Sequence, residues 1–322
     1  MTAKPGEVVS GYVKVVPTSD GNYMTIPTII INGKQDGPVL LVEACTHGDE
    51  VEAGLAALKL VKSVNPSSLK GTLIVVPVLN TASFEAGQRG NPLERHWYDM
   101  NRVFPGKIDG SMTQQLAYAF FNDYVLKANY LISFHGGGAI FYLDPFIIAE
   151  SENAFELVKG MAWERYTFQA DIGIVGGYPG SIERACFDKG IPAIICEHGG
   201  GIDRTPERLE QMVDKFVNGA LNCMKRLKML EGEPLRPKIT EIKKVNIRAR
   251  AGGFILYEKN FRIGAQVKKG EHLCSIVDLL GKELQRIEAP YDGYIIILPS
   301  YPQTCPGYIV TSVYAPVRTV QT

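Results

Sequence analysis

No charge of either sign predominates in this sequence. Its 322 residues carry 34 Lys and Arg against 34 Asp and Glu, a formal net charge of zero. A nucleic-acid or polybasic membrane partner normally needs a basic excess, so neither is expected. Long hydrophobic runs are also missing. No segment approaches the roughly eighteen apolar residues of a membrane span. The first residues, MTAKPGEVVSGYVKV, lack an apolar signal core, so secretion by that route is not expected. The six cysteines (Cys45, Cys186, Cys196, Cys223, Cys274, Cys305) are scattered and form no Cys-x-x-Cys. Cys45 and Cys196 stand in apolar runs and read as buried thiols. A reducing, cytoplasmic setting fits this usage.

What is present is a large apolar fraction, 45%, enough to fill one large core or two. The first thirty or so residues alternate and turn at Asp20-Gly21, the pattern of a pair of antiparallel edge strands. PVLLVEAC (38–45), GTLIVVPVLN (71–80), YLISFHGGG (130–138), FIIAE (146–150) and IPAIICEHGGG (191–201) are apolar runs of the kind buried on both faces of a sheet. Between and after them the spacing predicts helices over 50–64, 113–128, 153–166, 181–190 and from Thr205-Pro206 onward, where Thr is a cap and Pro the first helical residue. This alternation predicts an α/β fold, with a mixed, mostly parallel sheet flanked by helices. Residues 80–112 have no clear pattern and read as a functional loop. LEGEPLRPKITE (230–241) reads as a linker, which divides the chain into 1–232 and 233–322. The second part shows short strands and turns only, including V-x-x-G-E-x-L and I-x-A-P-x-D-G, and resembles a small biotinyl/lipoyl-type sandwich barrel. Lys282 stands at a turn there but lacks the methionine neighbours of a carrier lysine.

Three polar clusters close apolar runs: His47 with Glu50, His135, and Glu197. Strand carboxyl ends in open α/β sheets face the ligand crevice, so these clusters can converge. Two histidines and a carboxylate are a common catalytic zinc set, and zinc brings the pKa of bound water near neutrality. His47, Glu50 and His135 would bind one Zn2+ per chain, and Glu197 would be the base. Each residue alone has an ordinary structural reading: Glu50 as a helix-start acid favoured by the dipole, His135 as a turn histidine. Glu197 is harder to explain that way, because a buried lone carboxylate is costly. Asp49 and Glu52 read as solvated helix-start residues.

HGDE (47–50), NTASFEAGQR (80–89), DMNRVFPG (99–106), SFHGGG (133–138) and IPAIICEHGG (191–200) occur in the order found in the succinylglutamate desuccinylase/aspartoacylase family. The chain resembles that family, part of the wider zinc carboxypeptidase-like group, over about two thirds of its length. The resemblance implies His47, Glu50 and His135 as zinc ligands and Glu197 as general base. It implies Arg89 as the arginine that stabilises the oxyanion, and Asn101 with Arg102 as the grip on a substrate carboxylate. Arg184 reads either as a further substrate contact or as a solvated helix residue. The segment GNPLERHWYDM leaves Arg95 as a rival to Arg89 and brings His96 into question as a pocket residue. Ser133 stands where the family usually has an acid, and His198 beside Glu197 is unusual. The implied activity is zinc-dependent hydrolysis of the amide of an N-acyl amino acid or a related small carboxylate-bearing amide. A zinc carboxypeptidase and a non-catalytic binding protein are the alternatives, and a homo-oligomer is possible. A lipase-like reading of His135-Gly-Gly-Gly needs a G-x-S-x-G elbow, and Ser181 in GYPGSIE does not provide one. Cys196 reads as an inert thiol rather than a nucleophile. Specificity is expected from residues 90–98, 139–145 and 174–180, with Tyr291 and Tyr301.

Overall fold

The amino-terminal hairpin forms one edge of the molecule. β1 (Val8–Pro17) and β2 (Tyr23–Asn32) pair antiparallel around the expected Asp20-Gly21 turn, where Gly21 has a φ of 84°. This computed structural model describes residues 1–96, 98–168 and 179–322. Helices and strands then alternate: β3 (Gln35–Ala44), α1 (Val51–Ser63), β4 (Lys70–Val76), α2 (Thr81–Ala86), α3 (Met112–Asp123), β5 (Tyr130–His135), β6 (Phe141–Ala149), α4 (Phe155–Met161), β7 (Arg165–Phe168), α5 (Ile182–Phe187), β8 (Ala193–Gly200) and α6 (Pro206–Arg226). The rest is all strand: β9 (Lys238–Arg248), β10 (Gly253–Tyr257), β11 (Gln266–Val267), β12 (His272–Val277), β13 (Glu283–Glu288), β14 (Gly293–Pro299), β15 (Gln303–Thr304) and β16 (Ile309–Gln321).

Among the described residues, one sheet runs in the order β1-β2-β4-β3-β5-β8-β6-β7-β9-β16-β14-β11, and a smaller one in the order β13-β12-β10-β15. The centre, β4-β3-β5-β8, is parallel. Antiparallel pairs flank it, with a second parallel stretch at β6-β7-β9. The fold is thus mixed α/β, and parallel pairing is concentrated at the centre. Why the central strands are apolar throughout is visible in their packing. Leu40, Val42 and Ala44 of β3, with Ile132 and Phe134 of β5, join the core under α1, α4 and α6. Leu41 and Leu131, one residue out of phase, join the core under α3 and α5. A strand covered on both faces has no polar side to show.

Local chemistry explains where the elements begin and stop. Residues 80–112, read as one loop, contain two short helical pieces. The Asn80 side chain accepts from the Ser83 N–H and starts α2, and Asp99 accepts from the Asn101 N–H and starts a 3-10 turn at Met100–Arg102. The helix expected over 153–166 stops at Met161, because Ala162 turns left-handed with a φ of 55°. The chain then re-enters the sheet as β7. Pro206 is the first residue of α6 as expected, but Thr205 makes no side-chain cap bond. The stretch expected as linker already starts β9 at Lys238, which pairs parallel with β7 through Arg165 and Thr240. β14 also pairs with β6. No helix among the described residues is long and apolar enough to cross a membrane.

His198 lies one residue beyond Glu197 on β8 and so faces the opposite side of the sheet. Its ring is 5.9 Å from Trp163 and 5.8 Å from Phe216 in the α6 core. Burial pushes the imidazole down to about 4. The unfolded chain, titrating near 6.5, therefore takes up the proton first. Stability from this residue is intact above about pH 6.5 and is lost as the pH falls toward 4, by roughly 2–3 kcal/mol. Denaturant unfolding of wild type and His198→Phe at about pH 7.5 and 4.5 should show the difference between them move in favour of the variant by that amount. A difference independent of pH would mean that His198 is not held neutral by its surroundings.

Candidate active site

The carboxyl ends of β3, β5 and β8 lie side by side. Parallel register pairs Ala44 with Phe134, and His135 with Glu197. After Ala44 the chain turns sharply. Cys45 adopts a left-handed φ of 50°, and the backbone N–H groups of Leu79 and Asn80 bond the Ala44 and Cys45 carbonyls. His47 and Glu50 are thereby held just beyond the strand. Gly48 is required by contact: a Cβ there would sit 2.0 Å from the Ser83 carbonyl carbon of α2.

Glu50 stands at the helix-start position of α1 but makes no side-chain cap bond. Its two oxygens instead reach His47 Nδ1 at 2.8 Å and His135 Nδ1 at 2.9 Å. All three side chains are buried, and their donor atoms lie within 4.8 Å of one another. Burial works against the Glu50 charge, but the two histidines outweigh it and hold the carboxyl well below the usual range. Burial likewise opposes a charge on His135, yet Glu50 overrides it and pushes the imidazole up to about 9. Two imidazoles and a carboxylate that converge in a buried pocket could hold a metal ion. Among the described residues His135 Nε2 has no hydrogen-bond partner, and the ring packs edge-on against His47 at 5.0 Å.

The other ring nitrogen of His47 is occupied. Asp99 Oδ1 is 2.9 Å from His47 Nε2, the carboxylate–histidine arrangement that orients metal-binding imidazoles. Asp99 Oδ2 accepts from Arg89 Nε at 3.1 Å and Nη2 at 2.7 Å. Arg89 Nη1 returns to within 3.6 Å of Glu50 Oε1. Burial opposes ionisation of Asp99, but His47, Arg89 and Arg102 outweigh it and keep the carboxyl well below its ordinary value. Sequence reading quoted Asp99 only as part of a motif. The signal that could have found it was a carboxylate two residues before Asn101, in a loop already expected to reach the site.

A cavity of about 250 Å³ opens on this cluster. His47, Glu50, His135, Glu197, Arg89, Asn101 and Arg102 all line it. Arg95 and His96 are exposed and do not. Asn101 Oδ1 accepts from the Ile182 N–H at 2.9 Å, which ties the loop to α5. Arg102 Nη1 donates to the Asn101 carbonyl at 2.6 Å. Burial pushes the Glu197 carboxyl above its ordinary range; His135 opposes this and the Glu50 charge adds to it. Arg184 does not reach the cavity. Its guanidinium meets Glu150 at 2.9 Å and Asp188 at 2.8 Å, while the preceding residue, Glu183, faces the cavity. Cys196 is fully buried, and burial pushes its thiol far above the reactive range.

Asp49 and Glu52 are buried, not solvated. Asp49 Oδ2 accepts from the Ala139 N–H at 2.9 Å, and Arg204 Nη2 donates to the Asp49 and Gly138 carbonyls at 3.2 and 3.0 Å. Arg204 also lies 3.8 Å from Glu52, whose carboxyl burial pushes up to about 7. These contacts pin the glycine turn after His135 to the start of α1. Beneath the site, Glu43 is completely buried. It accepts from Ser133 Oγ, its register partner on β5, and from Thr46 Oγ1 at 2.9 Å. An acid that the sequence lacks at 133 thus stands at the same level on the neighbouring strand.

The carboxy-terminal strands supply the far wall: Lys244 and Asn246 of β9, Ile297 of β14 and Ile309 of β16. Lys244 Nζ donates to Asn246 Oδ1 at 3.1 Å and lies 5.4 Å from the Phe146 ring. Burial pushes its ammonium down to about 8, against the pull of Glu197. None of these was singled out from sequence. Of the expected specificity segments, Ile140, Phe141 and Leu143 line the cavity, whereas no described residue of 90–98 does, nor do Tyr291 and Tyr301. Residues 174–178 lie outside the described residues.

Residues 36–223 match the succinylglutamate desuccinylase/aspartoacylase catalytic domain. That match spans more than half of the chain, which belongs to this family. Over 308 residues the chain is 26% identical to the N-alpha-acetyl-L-2,4-diaminobutyric acid deacetylase of Halomonas elongata, covering 89% of this chain and 86% of that protein. Its fold is similar to that of product-bound ectoine utilization protein EutE (DoeB) from Ruegeria pomeroyi, with a TM-score of 0.83, 23% identity and 95% of each chain covered. A succinylglutamate desuccinylase/aspartoacylase from Rhodobacter sphaeroides superposes with a TM-score of 0.82 at 19% identity over 96% of each chain.

If Asp99 orients His47 toward a metal, Asp99→Asn should leave the fold intact and weaken metal binding about 10–100-fold. Competition between the protein and a chromophoric chelator measures this directly. Unchanged affinity would reduce Asp99 to a partner of Arg89.

Proposed function

We propose that this protein is a zinc-dependent amidohydrolase that removes the acyl group from an N-acyl amino acid or a related small carboxylate-bearing amide. The observation that carries this reading is the convergence of His47, Glu50 and His135 with Glu197 and Arg89 on one cavity. One zinc ion per chain would be held by His47, Glu50 and His135, the donor set that suits this metal when a position is left for water. When bound, zinc lowers the pKa of water and polarises a carbonyl. Glu197 accepts the proton of the attacking water on its carboxylate and delivers it to the leaving amine nitrogen. Its raised proton affinity suits both transfers. Arg89, fixed by two bonds to Asp99, presents its remaining guanidinium edge to the developing oxyanion. Arg102 and the amide nitrogen of Asn101 bind the substrate carboxylate; Asn101 keeps its oxygen on α5.

The deacetylase of Halomonas elongata supports an acyl-amino-acid substrate here. A cavity of only about 250 Å³ favours a small amide over an extended peptide. We assign the catalytic part to residues 1–232 and a pocket-closing β part to residues 233–322. The balanced charge supports small-molecule rather than nucleic-acid recognition. Unpaired thiols at all six cysteines support a reducing cytoplasmic setting.

Chelation should abolish hydrolysis of N-acetyl amino acids, and stoichiometric zinc should restore it. Glu197→Gln should retain the metal while turnover falls about 10²–10⁴-fold. Metal content and initial rates on the same preparation decide the matter: full turnover without metal, or loss of metal in the variant, contradicts these assignments.

A further inference from the structure

We infer that Lys244 holds the carboxylate that hydrolysis creates on the acyl side of the amide. This rests on the deacylase reading above and adds a binding site for one of the two products, a short carboxylate.

Lys244 is the cation that β9 adds to the cavity wall. Among the described residues no carboxylate comes within ion-pair distance of its ammonium, whereas Arg89 is held by Asp99 through two bonds. The one hydrogen bond of Lys244 goes to a neutral acceptor, Asn246 Oδ1 at 3.1 Å. An ammonium only donates, so Asn246 presents its oxygen there, and Ser312 Oγ fixes that oxygen at 2.6 Å. Two N–H groups of the ammonium remain for the cavity. The neighbouring lining is apolar, with Phe146, Ile148 and Ile297. A cation in such a wall is costly until an anion pairs with it, and water screens that pairing little.

Strand register puts this ammonium beside the proposed base. Phe146 of β6 pairs with Glu197 of β8, so the two side chains share one face of the sheet. Lys244 Nζ lies 5.4 Å from the Phe146 ring. Glu197 is the carboxylate whose charge acts on Lys244; burial pushes the ammonium down to about 8, which leaves it mainly charged at neutral pH. Hydrolysis turns a neutral amide and a water into a carboxylate and an ammonium. A C–O bond forms, the C–N bond breaks, and Glu197 is an anion again once its proton has passed to the amine nitrogen. Two negative charges then stand together, and Lys244 is the cation placed to hold the new one. The α-carboxylate of the released amino acid belongs to Arg102 and Asn101 in the reading above, so the two products rest on different groups.

Product inhibition tests this on the metal-loaded protein, with an N-acetyl amino acid as substrate at constant ionic strength. Acetate should inhibit wild type about tenfold or more strongly than acetamide, its neutral isostere. In Lys244→Met, acetate inhibition should weaken by about tenfold or more, while KM and inhibition by the released amino acid change by less than about threefold. Lys244→Arg should retain acetate inhibition to within about threefold, because a guanidinium also donates to a carboxylate. Acetate inhibition unchanged in Lys244→Met, or loss of inhibition by the amino acid in its place, overturns the inference. Equal inhibition of wild type by acetate and acetamide does the same. Should wild type hydrolyse no N-acetyl amino acid, the deacylase reading fails by itself. Calorimetric titration of the same proteins with acetate then judges Lys244. Binding that Lys244→Met removes and Lys244→Arg keeps supports its role; binding that is absent, or indifferent to the substitution, refutes it.

Discussion

A buried carboxylate shared by two histidines is the constraint around which this molecule is arranged. Glu50 cannot be charged in an apolar interior without partners. The structure supplies them in a closed circuit. Glu50 contacts His47, His47 contacts Asp99, Asp99 holds Arg89 by two bonds, and Arg89 comes back toward Glu50. His135 joins Glu50 from the adjacent strand. Carboxylates alternate with an imidazole and a guanidinium around the circuit, so each buried polar group is met by a neighbour. A metal bound among His47, Glu50 and His135 would enter a site whose ring orientations are already set on the His47 side.

That circuit depends on strand ends meeting at one level. The parallel register of β3, β5 and β8 provides this, and the turns beyond the strands must then be held. Arg204 performs much of that work by bonding the Asp49 and Gly138 carbonyls together. Close backbone approach does the rest. A Cβ on Gly137 would lie 1.8 Å from the Phe141 carbonyl oxygen, so the turn after His135 packs against the start of β6 only as glycine. Rigidity in these turns is what allows side chains from distant parts of the chain to keep a common geometry.

The central strands and the meeting of His47, Glu50 and His135 were legible in the sequence because their signals are local. Four to eight apolar residues closed by a polar cluster mark a buried strand and the polar residues at its end together. Asp99 and Glu43 were not legible in their roles, since each acts through a partner about fifty or ninety residues away. Glu43 shows the limit well: the absence of an acid at 133 was visible, but only strand register shows which residue stands beside it. Asp49 and Glu52 were misread as solvated because helix-start acids are exposed by habit, whereas here loop 136–139 and Arg204 cover them. Of the two readings open for Arg184, the cavity lining does not include it as a substrate contact, for a different reason. In a helix of six residues, moving one position turns a side chain by about 100°, enough to exchange Arg184 for Glu183 at the cavity.

The carboxy-terminal strands looked, from composition, like a separate appendage. Their hydrogen bonds say more. β9 continues the main sheet through β7, and β14 attaches to β6, so both strands reach the cavity along the backbone ladder itself. Asn246 is fixed by Ser312 Oγ of β16 at 2.6 Å and in turn accepts from Lys244. The ammonium that shares the cavity with Glu197 is therefore placed by two strands, β9 and β16, not by a loop. The pocket thus combines residues held at the ends of β3, β5 and β8 with a wall whose residues come from the last third of the chain. Lys244 and Asn246 therefore enter the cavity from β9, apart from the strand ends that hold His47, Glu50, His135 and Glu197.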